Sequence, residues 1–395
     1  MTNGREACER IAGRGLAVLA GMMLAGCGGN PGTEPVGLTF ATISAGEFHT
    51  CGVRPNGAAY CWGGGDLGDG DSTGSAKPVA VSGDLAFATV SAGTGHTCGV
   101  TTAGSAYCWG INQFGELGTG TTMNSKTPAV VSGGLTFAAV RARATQTCGV
   151  TTAGAAYCWG LNQLGQLGTG TTVNSTTPAA VSGGLTFAAL SPGTGHTCGV
   201  TTAGAPYCWG DNSSGELGTG TTVNSTTPAA VSGGLTFVTV SAADAHTCGM
   251  TPAGAAYCWG WDHYGQLGNG TTTGPDTCPV AGPCSMTPVA VGGGLTFAVV
   301  SAGSAHTCGV TPAGAAYCWG FNGFGQLGNG TTLDSATPVP VLGGLTFTAL
   351  SVGGGTYTCG LTTAGAAYCW GDNNSGQLGT GTRGGLSLVP VRVVQ

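Results

Sequence analysis

Cysteine and histidine are the residue types in this chain that could carry redox or metal-binding chemistry, and both recur at regular positions. The chain has 395 residues, including 18 cysteines and 6 histidines. Fourteen of the cysteines form seven pairs with members ten residues apart: Cys51 with Cys61, Cys98 with Cys108, Cys148 with Cys158, Cys198 with Cys208, Cys248 with Cys258, Cys308 with Cys318, and Cys359 with Cys369. An even set at fixed spacing indicates disulfides in an oxidising compartment. Buried free thiols are the alternative, and metal binding is disfavoured because the CxxC spacing is absent.

Five of the six histidines occupy one repeated position, directly before a Thr-Cys pair. Gln146 and Tyr357 take this position in two copies, and five copies carry histidine: His49, His96, His196, His246 and His306. Since glutamine and tyrosine replace histidine, the position predicts a structural hydrogen bond within each repeat unit. We therefore predict no metal site and no cofactor.

Catalytic arrangements are not apparent in the sequence. Glu116 and Glu216 are isolated and do not form the recurring carboxylate pair of a glycosidase. No Ser/His/Asp set stands out, and the GxG fragments lack the strand–helix context of a phosphate loop. We predict no catalytic residues, while an envelope enzyme with a site assembled at the axis from several repeats remains an alternative.

The cysteine pairs belong to a long repeat that fills most of the chain. Each copy is close to HTCGVTTAGAAYCWG followed by xNxxGQLGTGTT, and such a period is typical of solenoids, propellers and arrays. In the second copy, short strand-like runs at 87–92, 95–101, 106–109 and 128–131 are separated by turn segments. Four such strands predict a small antiparallel sheet, which is the unit of a propeller.

We therefore predict an all-β fold, a seven-bladed β-propeller of four-stranded antiparallel blades over residues 36–395. A three-residue hairpin loop at 102–104 would place Cys98 opposite Cys108, where a disulfide can form. The chain ends in the strand-like segment VPVRVV. We expect this C-terminal strand to close the ring by joining the first blade, which removes an exposed edge.

The repeat resembles the regulator of chromosome condensation repeat family over about residues 36–395. The resemblance rests on the HTCGV segment, the YCWG segment and the NxxGQLG loop, as at 317–320 and 325–328. It implies a seven-bladed propeller, in agreement with the strand count. The namesake of the family is a nucleotide exchange factor for a small nuclear GTPase and binds chromatin. A relative with this propeller is a secreted bacterial β-lactamase inhibitor that binds its enzyme through blade loops.

The N-terminal region has a different composition. Three arginines precede an apolar run at 16–25, which is too short to cross a bilayer and is typical of an export signal. The following LAGC resembles the bacterial lipobox, in which the cysteine carries lipid. We predict a signal peptide at 1–26, then lipid-modified Cys27 and a flexible tether at 27–35. An ordinary secretory signal is the alternative, so the protein is expected to be anchored to the outer membrane or cell surface, or otherwise secreted.

Charge limits the possible partners. The net charge is −6, and Lys77 and Lys126 are the only lysines. A chain without a basic surface is not expected to bind nucleic acid. We expect a monomer whose ligand is an unknown protein or another envelope component, and which contacts the membrane through its lipid.

The positions that vary between repeats lie after each WG dipeptide. They carry large apolar or aromatic residues in four copies, whereas two copies carry Asp211 with Ser214 and Asp372 with Ser375. Loops on a rigid scaffold concentrate binding residues. The predicted ligand-binding positions are Ile111, Phe114, Leu161, Leu164, Trp261, His263, Tyr264, Phe321 and Phe324. Packing against the next blade is the alternative role for these side chains.

The fifth copy also contains an insert near 273–286. It includes Cys278 and Cys284, for which we predict an eighth disulfide that stiffens a projecting loop. These features favour a non-catalytic, surface-anchored recognition propeller. The alternatives are a secreted enzyme inhibitor of the β-lactamase-inhibitor type, a regulator similar to guanine nucleotide exchange factors, and the envelope enzyme.

Overall fold

The computed structural model describes residues 37–395, which form seven antiparallel sheets, the blades of a β-propeller. The predicted fold class is confirmed. The strands are numbered in chain order, and the innermost strands of blades 1 to 7 are β1 (Thr42–Ala45), β5 (Phe87–Ala92), β9 (Phe137–Arg143), β13 (Phe187–Pro192), β17 (Thr239–Ala242), β22 (Val299–Ala302) and β26 (Phe347–Val352). The second strands are β2 (His49–Val53), β6 (His96–Thr101), β10 (Gln146–Thr151), β14 (His196–Thr201), β18 (His246–Met250), β23 (His306–Val310) and β27 (Tyr357–Thr362).

The two outer strands of each blade carry the YCWG segment and the proline-led segment. The third strands are β3 (Ala59–Gly63), β7 (Ala106–Gly110), β11 (Ala156–Gly160), β15 (Pro206–Gly210), β19 (Ala256–Trp261), β24 (Ala316–Gly320) and β28 (Ala367–Asp372). The outermost strands are β4 (Ser75–Ala80), β8 (Ser125–Val130), β12 (Ser175–Ala180), β16 (Ser225–Ala230), β21 (Gly282–Ala290), β25 (Ser335–Pro340) and β29 (Leu386–Arg392). The insert adds β20 (Asp276–Cys278), which makes blade 5 five-stranded.

The cysteine spacing sets the register of the two central strands in every blade. In blade 2, Cys98 lies opposite Cys108, as the hairpin predicts, and the two residues form a disulfide. The other six blades repeat this bond between their second and third strands: Cys51 bonds Cys61, Cys148 bonds Cys158, Cys198 bonds Cys208, Cys248 bonds Cys258, Cys308 bonds Cys318, and Cys359 bonds Cys369. In the insert, Cys278 bonds Cys284. All eight predicted disulfides are therefore present.

The hydrophobic core is divided into clusters between adjacent blades. Trp109 of blade 2 is fully buried against Leu67 and Val53 of blade 1, together with Phe87. The ring centroids of Phe87 and Trp109 are 5.9 Å apart. A Cβ atom on Gly99 would come within 2.6 Å of the Phe87 ring, which explains the glycine after each cysteine of HTCGV. Each blade is thus too thin to hold a core alone and is stabilised by its neighbours.

The position of the last strand differs from our expectation. Strand β29 pairs with β28 and completes blade 7, while blade 1 is built from its own four strands. The ring is closed by contacts between blades 7 and 1, including the Trp62 indole, which donates to the Gln377 carbonyl at 2.9 Å. The same tryptophan hydrogen bond occurs at five of the other six junctions, so closing the ring requires no shared sheet.

The innermost strands of all seven blades enclose a channel of about 530 Å³. At one end of it, the turn between the first and second strands of each blade lies beside the loop between the third and fourth strands. In blade 2, for example, the Ile111 amide donates to the Gly95 carbonyl at 2.9 Å. We call this end of the propeller the loop face. It carries both the channel mouth and the variable positions.

The predicted signal peptide, Cys27 and the tether lie outside the described residues. Within residues 37–395 there is no helix long and apolar enough to cross a membrane.

Candidate binding face

In blades 2, 3, 4, 6 and 7, the loop on this face is folded around a buried asparagine. In blade 2, the Asn112 side chain donates to the Thr121 and Met123 carbonyls, both at 3.0 Å. Its Oδ1 accepts from the Leu117 amide at 2.9 Å. An asparagine at the second position after WG therefore holds the whole xNxxGQLG loop, and it leaves the first and fourth positions free to vary.

The loop is then fastened to the next blade through the Gln or Glu of the GQLG motif. The Glu116 carbonyl accepts hydrogen bonds from the Trp159 indole and the Thr147 hydroxyl of blade 3, both at 2.8 Å. The Glu116 side chain accepts from the Phe114 amide at 2.8 Å, as the Gln166 side chain does from the equivalent amide. These contacts give the isolated glutamates a structural role. Burial raises the pKa of Glu216 to about 7, because the charged form of the carboxyl loses its hydration at this position.

The repeated histidines link neighbouring blades, which corrects the prediction of a hydrogen bond within each blade. His96 Nε2 lies 2.9 Å from the Thr147 hydroxyl of blade 3. Since that hydroxyl donates to the Glu116 carbonyl, it accepts from His96, so the histidine is neutral with its proton on Nε2. Burial lowers the pKa of the five histidines, to about 4 for His49 and His196.

Glutamine and tyrosine serve the same purpose at the two exceptional positions. The Gln146 amide donates to the Gly193 carbonyl of blade 4 at 3.0 Å, and the Tyr357 hydroxyl donates to the His49 carbonyl of blade 1 at 2.7 Å. Within residues 37–395, no group of three or more His, Cys, Asp or Glu side chains is placed to hold a metal ion. The position is a junction between blades.

Five of the predicted binding residues meet in one continuous surface, which we call the aromatic patch: Trp261, His263, Tyr264, Phe321 and Phe324. Within it, Trp261 and His263 are stacked with ring centroids 6.0 Å apart, and Tyr264 meets both rings edge-on. The ring centroids of Tyr264 and Phe321 of blade 6 are 4.8 Å apart, and those of Phe321 and Phe324 are 6.2 Å apart. Its rings are half-buried or exposed, so the patch both packs internally and faces solvent.

The insert stands beside the aromatic patch. The Trp261 indole donates to the Ala281 carbonyl of the insert at 3.2 Å, and the Asp262 amide donates to the Pro283 carbonyl at 3.0 Å. Val280, at the tip, is 81% exposed. The insert thus orients Trp261 and extends the surface outward with a disulfide-bonded hairpin.

The remaining four predicted residues lie apart from the aromatic patch, in blades 2 and 3. Ile111 and Leu164 are about two-fifths exposed, at 40% and 39%. Phe114 and Leu161 are half-buried. Among the described residues, no ring contact joins Phe114 to the aromatic patch.

A polar network at the channel mouth was not predicted from the sequence. Asp244 of blade 5 accepts from Arg143 of blade 3 at 3.1 Å, and from the Thr194 and Ser304 hydroxyls of blades 4 and 6, both at 2.6 Å. Burial opposes ionisation of Asp244, but Arg143 and the two hydroxyls outweigh it and lower its pKa. The signal in the sequence is RARATQ in the third copy, where other copies have segments such as SAGTGH.

Family comparisons agree with this geometry. The regulator of chromosome condensation repeat matches six segments that cover most of the chain, at residues 103–149, 153–200, 204–250, 253–310, 313–361 and 364–395. A second description of the same repeat matches residues 40–69, 87–116, 237–266, 297–326 and 347–377. A search of curated proteins finds no significant match.

Solved structures with low sequence identity share the fold. Prp20p from Saccharomyces cerevisiae, a protein described with its binding to Gsp1p and histones, has a TM-score of 0.74 at 19% identity, with 90% of this chain and 88% of that chain covered. Human WBSCR16 has a TM-score of 0.72 at 19% identity, with 81% and 84% covered. The ectodomain of the Arabidopsis thaliana receptor kinase ACR4 has a TM-score of 0.54 at 18% identity, with 89% and 99% covered.

Proposed function

Because this chain belongs to the regulator of chromosome condensation repeat family, we propose that it is a non-catalytic recognition protein that binds a protein ligand through the aromatic patch. The aromatic patch is the observation that carries the proposal. Aromatic side chains, tryptophan and tyrosine above all, are enriched among residues that dominate binding energy. The protein-binding behaviour of Prp20p supports a protein as the class of ligand.

The blade scaffold does not need aromatic residues at these positions. In blade 4 the corresponding residues are Asp211 and Ser214, yet the loop keeps its asparagine frame, with the Asn212 side chain donating to the Val223 carbonyl at 3.0 Å. Large aromatic surface that the fold does not require, held rigid by the insert, is suited to binding at a low cost in ordering.

The test replaces the aromatic patch with residues that the same scaffold already accepts. We expect Trp261→Asp with Tyr264→Ser to leave the melting temperature almost unchanged, because blade 4 carries these residues. Captured ligand from the envelope and secreted proteins of the native host should fall at least thirtyfold, since loss of buried aromatic anchors costs about 2–4 kcal/mol. The matched control is Ile111→Asp with Phe114→Ser in blade 2, which should retain capture. Equal capture by both variants, or a large fall in melting temperature for the first alone, would contradict the proposal.

We also propose that the protein is exported and held at a bacterial membrane by lipid on Cys27. Eight disulfides suit an oxidising, extracytoplasmic compartment, and LAGC resembles a lipobox. Cys27→Ser should release the protein from the membrane fraction and abolish labelling with a radioactive fatty acid. Cys8→Ser, within the predicted signal peptide, is the matched control and should change neither. Unchanged labelling of the Cys27 variant would rule out this anchor.

A further inference from the structure

The channel is lined by a ring of serines that is interrupted once. At six of the seven junctions, a serine on the innermost strand accepts a hydrogen bond from a backbone amide of the next blade, at 2.8 to 3.2 Å. These serines are Ser44, Ser91, Ser191, Ser241, Ser301 and Ser351. In blade 3 the equivalent residue is Arg141.

The exception has a local cause in the next blade. The amide that would donate to a serine at position 141 belongs to position 192 of blade 4, and that residue is Pro192, which has no N–H. A serine there would therefore lose its structural hydrogen bond. Position 141 therefore does not need a serine for an inter-blade hydrogen bond, as the other six positions do, and it carries a long cationic side chain.

Arg141 lies inside the channel and has no carboxylate partner within residues 37–395. It lines the channel, whereas the neighbouring Arg143 is paired with Asp244 at the mouth. Among the described residues, no carboxylate forms a salt bridge with Arg141. The protein around it lowers the pKa of its guanidinium by desolvation. A cation in a narrow channel that has lost part of its hydration attracts an anion.

Solvent and small solutes can reach Arg141. It is solvent-exposed within the channel and lies two residues before Arg143 on β9, about 7 Å along the strand from the mouth. Most of the other lining residues are alanine, serine, threonine or valine, and the channel volume is about 530 Å³. A guanidinium binds carboxylate or phosphate through two parallel hydrogen bonds.

We propose that Arg141 forms an oxyanion-binding site in the central channel, which takes a carboxylate or phosphate group entering through the loop face. The site is independent of the aromatic patch. Ring closure brings the other six innermost strands around it, so a bound anion faces Arg141 in a wall of mostly small residues, while Arg143, which also lines the channel, is paired with Asp244.

The test measures binding of two probes, inorganic phosphate and glutarate, to the purified full chain by calorimetry and thermal unfolding at constant ionic strength in chloride. We expect at least one probe to bind and to raise the melting temperature. Arg141→Ser should weaken its binding at least tenfold, and Arg141→Lys should weaken it less because the charge remains. The control Arg383→Ser, at an exposed arginine outside the channel, should bind as the original chain does.

The probes also separate the possible sources of the anion. Binding of phosphate alone assigns the site to phosphate or a phosphorylated ligand, and binding of glutarate alone assigns it to a carboxylate. If Arg141→Ser does not fold, the double variant Arg141→Ser with Pro192→Ala is measured in its place. This double variant supplies both the serine and the backbone amide that form the hydrogen bond at the other six junctions. No binding of either probe, or binding to the serine variants within twofold of the original chain, would overturn the proposal.

Discussion

Blades 4 and 5 have almost the same interior and opposite chemistry on the loop face. Trp209 and Trp259 are both fully buried, and each indole donates to a carbonyl of the preceding blade, at 2.9 and 2.7 Å. On the loop face, however, blade 4 carries a half-buried Asp211 and a buried Ser214. Blade 5 presents aromatic rings at the same positions and carries the insert.

The difference shows how the repeat separates stability from recognition. The residues that fasten each loop alternate with the residues that vary, so their side chains point in different directions. Asn212 and Glu216 are 0% and 2% exposed, whereas the variable positions between them reach the surface in several blades. A blade can therefore change its surface without changing its junctions.

Lowering the pH should destabilise the interior that the two blades share, and this should be the largest of the predicted effects. Burial lowers the pKa of His196 to about 4 and of His246 to about 3, from an ordinary value of 6.5. The unfolded chain therefore binds more protons between these values, so stability is full above pH 6.5 and is lost as pH falls towards 4. At ~1.4 kcal/mol per pKa unit, each such histidine lowers the free energy of unfolding by roughly 3 kcal/mol as the pH falls over this range.

Denaturant unfolding between pH 7 and pH 4 checks this dependence. His196→Gln and His246→Gln should each reduce the pH dependence by a similar amount, since Gln146 shows that the junction accepts glutamine. A pH profile unchanged in both variants would show that the buried histidines do not govern acid stability.

The buried tryptophans should matter equally in the two blades. We expect Trp209→Ala and Trp259→Ala each to lower the free energy of unfolding by about 3–5 kcal/mol, because each removes a large side chain from a packed inter-blade cluster. Urea unfolding of the two variants measures the effect. A loss in one blade alone would mean that the two interiors are not equivalent.

The smallest effect should come from one of the framing residues that differ between the two blades. Asp262 in blade 5 replaces the asparagine of blade 4, and burial raises its pKa to about 7. The folded chain therefore binds more protons than the unfolded chain above pH 3.8, so this contribution to stability is lost as pH rises through 7.

Asp262→Asn should raise the free energy of unfolding at pH 8 by about 1 kcal/mol, because it removes the charge of a buried carboxyl. At pH 4 the same variant should have little effect. Asn212→Asp in blade 4 is the converse change, and it should destabilise the protein at pH 8. Thermal unfolding at both pH values provides the measurement, and a gain for Asp262→Asn that is equal at pH 4 and pH 8 would contradict the assignment.

Most of the fold could be predicted because its signals are local. The strands of blade 2 match their predicted positions to within a few residues, since Gly-rich turns separate them in the sequence. The nine predicted binding positions were identified by variation between copies. Five of them form the aromatic patch, and that grouping depends on the contact between Tyr264 and Phe321, which lie in different blades.

The sequence by itself determined the repeat, the four strands of each blade and the partner of every core cysteine. A hairpin with cysteines ten residues apart sets its own register, so the bond between Cys98 and Cys108 follows from spacing alone. Only the tertiary structure decided which blade receives β29, which threonine each histidine bonds, and how Arg143 meets Asp244 from two blades away. The histidine and arginine contacts join positions about one or more repeats apart, and their geometry depends on the curvature of the whole ring, which no single repeat encodes.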